Sequence, residues 1–454
     1  MKKLLFKKTS SLLLFIYSFF KEDKIIKKYK NEKNIKKFSI NTNHPGYNFL
    51  KAFNYHNHGK FLESYKLLKN FDEIKKNWNK FKSENEIRKK DILSPCRIIG
   101  SLGNYRTVFN YLYNRINILN INSKSKIYIK KYDKINNKFL LSLFKPFLNF
   151  NDSSFSYYQN INKIFYFKAP IEIALPYKKK YYPWAIAENL INQHRFKNKN
   201  LKFNFFKLNH QHLLKGKKIL HENNLGNYKW YVSLHIRENN KTFSQNTRNA
   251  NPKNYLKMIN EIISRGGAVI RMGDKSMTPL PKINGLIDYP FSNFKSEFMD
   301  VFFAATSKFV VGTASGFWTI ARFFNTPLLL TNFIPHLDYY SFDKNCIFLP
   351  KKLINKQKKT ISINDIYSKN YFSHFTTTKQ FKKNSIKIID NTSEELHEAT
   401  IDMFNLISKN KKNKNIFFKK NNKFKYQFLR NKMYENHKLS PIANFSSSYI
   451  KNYI

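Results

Sequence analysis

Trp230-Tyr-Val-Ser-Leu-His-Ile-Arg237-Glu238 is the stretch on which the fold turns. Its first seven residues alternate and are rich in β-formers, so they read as a strand ending at a histidine and an arginine. A long polar loop follows, Asn239 to Asn251. Asn251 can cap a helix whose first position is Pro252. Tyr255, Met258, Ile259 and Ile262 then form an apolar stripe at helical spacing, and Gly266-Gly267 ends it. Ala268 to Met272 reads as the next strand and Gly285 to Asp288 as a short one. Ser296 opens a helix with Phe298, Val301, Phe302 and Ala305 inward. Phe309 to Val311 is a strand, Gly316 to Phe324 a helix, and Leu328 to Leu330 a strand. Strands alternating with helices in this way predict an α/β fold with a parallel, doubly wound sheet over 221–350.

Upstream, Arg97-Ile-Ile-Gly100-Ser-Leu-Gly103-Asn is a short apolar run with a glycine turn, followed by a helical stretch from Tyr105 to Ile118. Lys126-Ile-Tyr-Ile reads as the next strand, Ile164 to Phe167 and Ile171 to Leu175 as further ones, and Ala185 to Arg195 as a helix. These predict a first α/β domain over 91–220. Residues 1–90 read as a basic helical region. Within it, Ala52 to Ser64 matches one tetratricopeptide helix pair, a single copy that cannot bury its own face, so an ordinary helical hairpin is the preferred reading. Beyond Pro350 the chain reads as a basic extension, 351–454. Thr392-Ser-Glu-Glu395 is a capping box, and Leu396, Ala399, Met403 and Ile407 continue one helical face. From 409 to about 435 the Lys and Asn content predicts a mobile stretch.

The 454 residues carry a formal charge of +53, with 42% apolar residues. That length suits two domains with additions. The charge is uneven: 221–350 carries only +5, and the other 324 residues carry +48. Abundant Lys, Asn, Ile, Phe and Tyr together are what an AT-rich coding sequence produces, and the basic flanks read first as solvated surface. Attraction to anionic lipid comes second, and no specific nucleic-acid partner is expected. The apolar run Leu12 to Phe20 is about half a membrane span. It lacks a small-residue cleavage site, so it reads as an interfacial or docking helix. Cys96 and Cys346 have neither metal-ligand spacing nor a disulfide framework, as in a reduced cytoplasmic protein, either free or peripheral at the inner face of the membrane.

Three clusters fall at the C-terminal ends of expected strands, the edge at which open α/β sheets bind ligands. In the first, His235 and Arg237 point the same way along a strand. An arginine there offers a rigid fork of donors to a diphosphate. The loop beyond it carries Arg248 and Asn249. In the second, Arg271 ends an apolar strand before Gly273 and Asp274; it either meets a phosphate or pairs with Asp274. In the third, Val310-Val-Gly312-Thr313-Ala-Ser315-Gly316 carries a strand into a helix through small residues. Free amides there, with the Thr313 and Ser315 hydroxyls, would make an anion-binding nest. It lacks the P-loop lysine and any dinucleotide fingerprint, which disfavours a nicotinamide- or flavin-dependent oxidoreductase.

Taken together, His235-Ile-Arg237-Glu, Arg248-Asn249-Ala, Arg265-Gly-Gly-Ala-Val-Ile-Arg271-Met-Gly-Asp274-Lys-Ser-Met277, Ile287-Asp288-Tyr289, Lys295-Ser-Glu297-Phe-Met-Asp300 and Gly312-Thr-Ala-Ser315-Gly resemble a family of bacterial glycosyltransferases of the GT-B fold, distant relatives of the fucosyltransferases. The likeness covers 225–350 well and 91–220 faintly. It implies two Rossmann-like domains facing across a donor cleft. It also implies inverting, metal-independent transfer of a sugar from a nucleotide-sugar, a GDP-sugar foremost, with no bound cofactor. The HxR motif of those enzymes falls on His235 and Arg237, with Arg237 on the leaving diphosphate and Thr313 and Ser315 as phosphate-loop hydroxyls. Asp288 and Glu297 are candidates for ribose, base or acceptor contacts, whereas Asp300 reads as a helix-to-loop anchor. A surface glycan, a lipid-linked glycan or a protein would each serve as acceptor. The rival reading is a non-catalytic basic scaffold, or a nucleic-acid-binding protein on a degenerate core of the same shape.

Overall fold

The computed structural model describes residues 92–93, 102–118, 125–130, 135–153, 174–177, 180–183, 206–238, 246–334, 345–361, 378–409 and 444–451, with a few single residues elsewhere. The expected helical region at 1–90, with its tetratricopeptide-like hairpin and its docking helix, lies outside the described residues. So do the strands expected at 97–99 and 164–167. The chain divides into two compact units, 1–136 with 144–191, and 137–143 with 192–454.

In the first unit, β1 (Ile92–Leu93), β2 (Ser125–Lys130) and β3 (Leu148–Ser153) form a parallel sheet in that order. The helix between the first two, α1 (Tyr105–Tyr113), buries Tyr105, Val108, Phe109, Leu112 and Tyr113. That spacing is one face of a 3.6-residue helix, and it completes a β-α-β crossover. Asn114–Ile118 continues it as a π turn. The strand expected at 171–175 is Ala174–Tyr177 (β4), and it runs antiparallel to Lys180–Pro183 (β5) as a hairpin.

The second unit opens with the short helix α2 (Lys138–Ser142), which lies inside the span expected for the first domain. Asn137 joins it to its unit: the side-chain oxygen accepts from the Leu140 amide at 2.6 Å, and the side-chain amide donates to the Glu297 carbonyl at 3.0 Å. Helix α3 (His210–Glu222) follows, also upstream of the boundary expected at 220. The sheet is built from β6 (Tyr231–His235), β7 (Ala268–Met272), β8 (Leu286–Asp288), β9 (Val310–Gly312), β10 (Leu328–Phe333), β11 (Cys346–Pro350) and the distant β14 (Asn444–Phe445). Between them run α4 (Leu256–Ser264), α5 (Glu297–Thr306) and α6 (Phe317–Phe323). The spatial order is β14-β11-β10-β9-β6-β7-β8, and every neighbouring pair is parallel. Three strands thus run one way from β6 and four the other way from β9, which is the Rossmann-like doubly wound order.

Burial follows from this layering. Val232, Ser233 and Leu234 are all inaccessible, because both faces of a parallel sheet are covered by helices. On one face Tyr231 and Ser233 bond Thr306 and Ser307 at the end of α5. On the other, Trp230 and Phe309 pack edge-on against Phe404 of α8 (Ser393–Ile407). Helix α4 ends as expected, with Gly266 at φ +80° and its amide on Ile263. A side chain at that φ would be strained.

The unit does not stop at 350. After β12 (Lys352–Ile354), α7 (Thr378–Lys383) and β13 (Lys387–Ile389), α8 starts with the reciprocal capping box of Thr392 and Glu395. Asp402 of α8 then accepts from the hydroxyls of Ser446 and Ser447 and from the Ser447 amide, fixing the start of α9 (Ser447–Lys451). Burial raises the Asp402 pKa above the ordinary carboxylate value. Within the stretch expected to be mobile, Phe417 and Asn421 are buried, and Asn421 exchanges two hydrogen bonds with the backbone of Phe445. The C-terminal segment therefore completes the second domain, because its two-residue strand closes the open edge of β11. Among the described residues no helix is long and apolar enough to cross a membrane.

Candidate functional site

In a sheet of this order the loops leaving two adjacent strands diverge at one place, where the chain turns from winding one way to winding the other. Here that place lies between β6 and β9, which are paired through Ser233–Val310, Leu234–Val311 and His235–Gly312. Just past the pairing, the Thr313 amide donates to the His235 carbonyl at 3.1 Å, and the Arg237 amide donates to Thr313 Oγ1 at 2.8 Å. Two of the clusters read from the sequence, 235–237 and 312–316, therefore form one rim.

Arg237 is half-buried, its Nε is shielded from solvent, and its guanidinium has no hydrogen-bond or ion-pair partner among the described residues. Arg248 stands nearby. Its Nε donates to the Ala314 carbonyl at 2.7 Å, and the Ala250 amide donates to the Arg237 carbonyl at 2.9 Å, so its loop is tied across both strand ends. Burial, and then the neighbouring Arg248 charge, hold the Arg237 pKa below the ordinary arginine value. Two like charges without a carboxylate between them are a standing electrostatic cost, which an anion would relieve.

His235 stacks on Phe317, ring centroids 5.8 Å apart and 18° from coplanar. Burial is the main reason its pKa falls to about 4, with the Arg237 charge adding to the effect. Its Nδ1 is buried and without a hydrogen-bond partner among the described residues. Ser315 Oγ is likewise buried and unpartnered, and Thr313 is inaccessible. The expected nest is narrower than the residue types implied. Gly312 is the last residue of β9 and serves packing, since a Cβ there would lie 3.2 Å from Trp318 Cβ. The Ser315 amide is already spent on the Thr313 carbonyl at 2.6 Å, and Gly316 opens a helix of seven residues.

Arg271 has a different fate from the one its position suggests. It is completely buried and ion-paired to Asp288 at 2.9 Å and to Glu238. Glu238 also accepts from the Thr278 amide, and Asp288 from the Leu280 amide, both at 2.9 Å. Of the two readings of Arg271, the structural one holds, but its partners are Glu238 and Asp288 instead of Asp274. Asp288, expected as a ribose or base contact, is engaged by this pair. Asp274 is exposed; hydrogen bonding from the Ser276 hydroxyl is the first cause of its lowered pKa, and the Ser276 amide, from which it accepts at 2.9 Å, adds to it. Gly273 lets the turn fold back on Met277, whose Sδ would lie 2.1 Å from an added Cβ. Glu297 accepts from the Lys138 amide at 2.8 Å, and Asp300 pairs with Lys295 at 3.0 Å as an anchor.

Beside the rim opens a cavity of about 470 Å³, lined by Glu238, Asn249, Ala250, Asn251, Pro252, Ser276, Thr278 and Asp390. Asn249 was expected at the site; Asp390 was not. It comes from the turn between β13 and α8, where its carboxylate holds the buried Lys351 at 2.6 Å. Lys351 also donates to the Asn249 carbonyl, and so supports from below the loop that carries Arg248. Burial lowers the Lys351 pKa. Nothing in the sequence near 351 or 390 marks this contact, which depends on α8 docking onto the sheet.

Compared with family models, curated proteins and solved structures, the chain gives no match to any of the three.

Proposed function

We propose that the chain is a glycosyltransferase of the GT-B type, moving a sugar from a nucleotide-sugar, a GDP-sugar foremost, onto a hydroxyl of a glycan, lipid-linked or protein acceptor. The observation that carries this reading is the unpaired Arg237 guanidinium beside Arg248 at the β6–β9 switch point. The likeness of the linked motifs to the fucosyltransferase-related family adds to it. In such a transfer the acceptor oxygen attacks the anomeric carbon while the bond from that carbon to the diphosphate oxygen breaks. The negative charge left on the diphosphate is the quantity to be stabilised, and preorganised donors at that point supply the largest share of catalysis. Arg237 and Arg248 are the donors in this reading, so the charge neutralisation needs no metal ion. A pKa near 4 makes His235 a weak base at neutral pH. Its part is to present a neutral ring under the donor and to hold the strand end through its carbonyl.

The test is a thermal melt with GDP, UDP, ADP, CMP and dTDP, each with and without EDTA, followed by hydrolysis assays on the matching nucleotide-sugars. At least one diphosphate, GDP first, raises the midpoint equally in both conditions. If none of the five shifts it, the reading is wrong.

A further inference from the structure

The cavity next to the arginines differs from them in character. Of the described residues that line it only Ala250 and Pro252 are apolar, and no aromatic ring is among them. Two carboxylates, Glu238 and Asp390, share its wall with the amides of Asn249 and Asn251 and the hydroxyls of Ser276 and Thr278. Its volume of about 470 Å³ suits a small ligand. The two segments that carry the arginines also supply part of its wall, Glu238 next to Arg237 and Asn249 next to Arg248, while neither arginine itself lines it. For a ligand held by its diphosphate at the arginines, this cavity is the space toward which its adjoining group would extend. A flat nucleobase would gain little from a wall whose described residues offer no ring to stack on. A ring bearing several hydroxyls meets acceptors that bind O–H donors strongly, since hydrogen bonds to ionised carboxylates exceed neutral ones.

We propose that the cavity is the sugar subsite, and that it takes an uncharged hexose and rejects a hexuronic acid. This rests on the transferase reading and goes further by naming the class of sugar. The two carboxylates are the reason for the rejection. Glu238 is tied to Arg271, but Asp288 competes for the same guanidinium, so the Glu238–Arg271–Asp288 group carries a net negative charge. Asp390 is balanced by Lys351 alone. A third carboxylate on the ligand would enter against like charge and, among the described residues of the wall, without a free cation.

Binding of GDP, GDP-mannose, GDP-mannuronate, UDP, UDP-glucose and UDP-glucuronate to the full chain, by calorimetry, tests the assignment. With whichever nucleotide binds, the hexose form is expected to bind at least about tenfold more tightly than the hexuronate, the size of one lost charge-assisted contact. Thr278→Trp fills the cavity from an exposed position whose side chain makes no hydrogen bond. It should remove the preference and weaken UDP-glucose and GDP-mannose about tenfold while leaving UDP and GDP unchanged. Ser276→Trp, on the same turn, should do likewise, and an unchanged melting midpoint shows that either variant is folded. Equal or tighter binding of the hexuronate, or a preference untouched by both tryptophans, overturns the assignment and leaves the transferase reading standing. Loss of UDP and GDP affinity in step with their sugars would place the nucleoside in the cavity and overturn it too. If neither UDP nor GDP binds, the comparison is made on the hexose and hexuronate of whichever other nucleotide does; if none of the five nucleotides of the melt binds the wild-type chain, the transferase reading fails and takes this one with it.

Discussion

Arg237 and Arg271 sit at the ends of neighbouring parallel strands and look interchangeable in the sequence, yet the fold uses them in opposite ways. Arg271 is completely buried between two carboxylates, its charge more than balanced. Arg237 is half-exposed, feels the charge of another arginine, Arg248, and has no acidic partner among the described residues. What separates them is one strand position: β7 faces β8, which brings Asp288 opposite Arg271 in register, whereas β6 faces β9, whose end holds only glycine, threonine, alanine and serine. An arginine at a strand end is thus open to a ligand only where the neighbouring strand leaves it without a counter-charge.

The largest effect expected from this contrast is on stability. Arg271→Leu should cost about 3–5 kcal/mol in denaturant unfolding, since it leaves Glu238 and Asp288 without their cation in a buried setting. The Thr278 and Leu280 amides that those carboxylates hold should loosen with them. Adding Glu238→Gln and Asp288→Asn to the same chain should recover part of the loss. Should Arg271→Leu unfold no more easily than the wild type, Arg271 is not a structural arginine and the comparison collapses.

Arg237→Ala tests the other member. It removes an unpaired, half-buried charge beside Arg248, so unfolding stability should hold or rise slightly. Turnover of the nucleotide-sugar should fall about 10²–10³-fold, the usual loss when one donor to a developing charge is deleted. The split between stability and rate is what sharpens the comparison: Arg271→Leu loses both together, Arg237→Ala only the second. Near wild-type turnover in folded Arg237→Ala would take Arg237 out of the site.

The elements of the sheet were largely legible because each carries its own local signal. Ala268–Ile270 is an unbroken apolar run followed by an arginine, and Ser296, Asn251 and Thr392 each cap the helix that follows. The candidate rim was legible for the same reason, since the edge that binds ligands is set by strand direction. Pairing is not a local property. Arg271 meets Glu238 and Asp288 across 33 and 17 residues, through a register that neither segment encodes by itself. Asp390 reaches the cavity only because α8 docks on the sheet, and β14 is two residues long in a Lys- and Asn-rich tail, too short to show a period. The domain limit drawn at 350 missed both, because composition changes there while packing does not.

The smallest effect concerns the joint that holds Arg237 in place. Thr313 Oγ1 accepts from the Arg237 amide at 2.8 Å, and the Thr313 amide donates to the His235 carbonyl at 3.1 Å, so one residue of β9's exit loop fixes the end of β6. Thr313→Val keeps the shape and the second bond but leaves the Arg237 amide without an acceptor. The expected cost is about 1–2 kcal/mol of unfolding stability. A positioning role predicts something more than that: GDP affinity should fall several-fold, and Thr313→Ser, which restores the oxygen and drops only the methyl, should recover the affinity even though it leaves a small void. Arg271 supplies the internal control, because a substitution that loosens its pair should not respond to the hydroxyl at 313. If Thr313→Ser binds GDP as poorly as Thr313→Val, the oxygen is not what aims Arg237, and the rim owes its geometry to the Arg248–Ala314 contact instead.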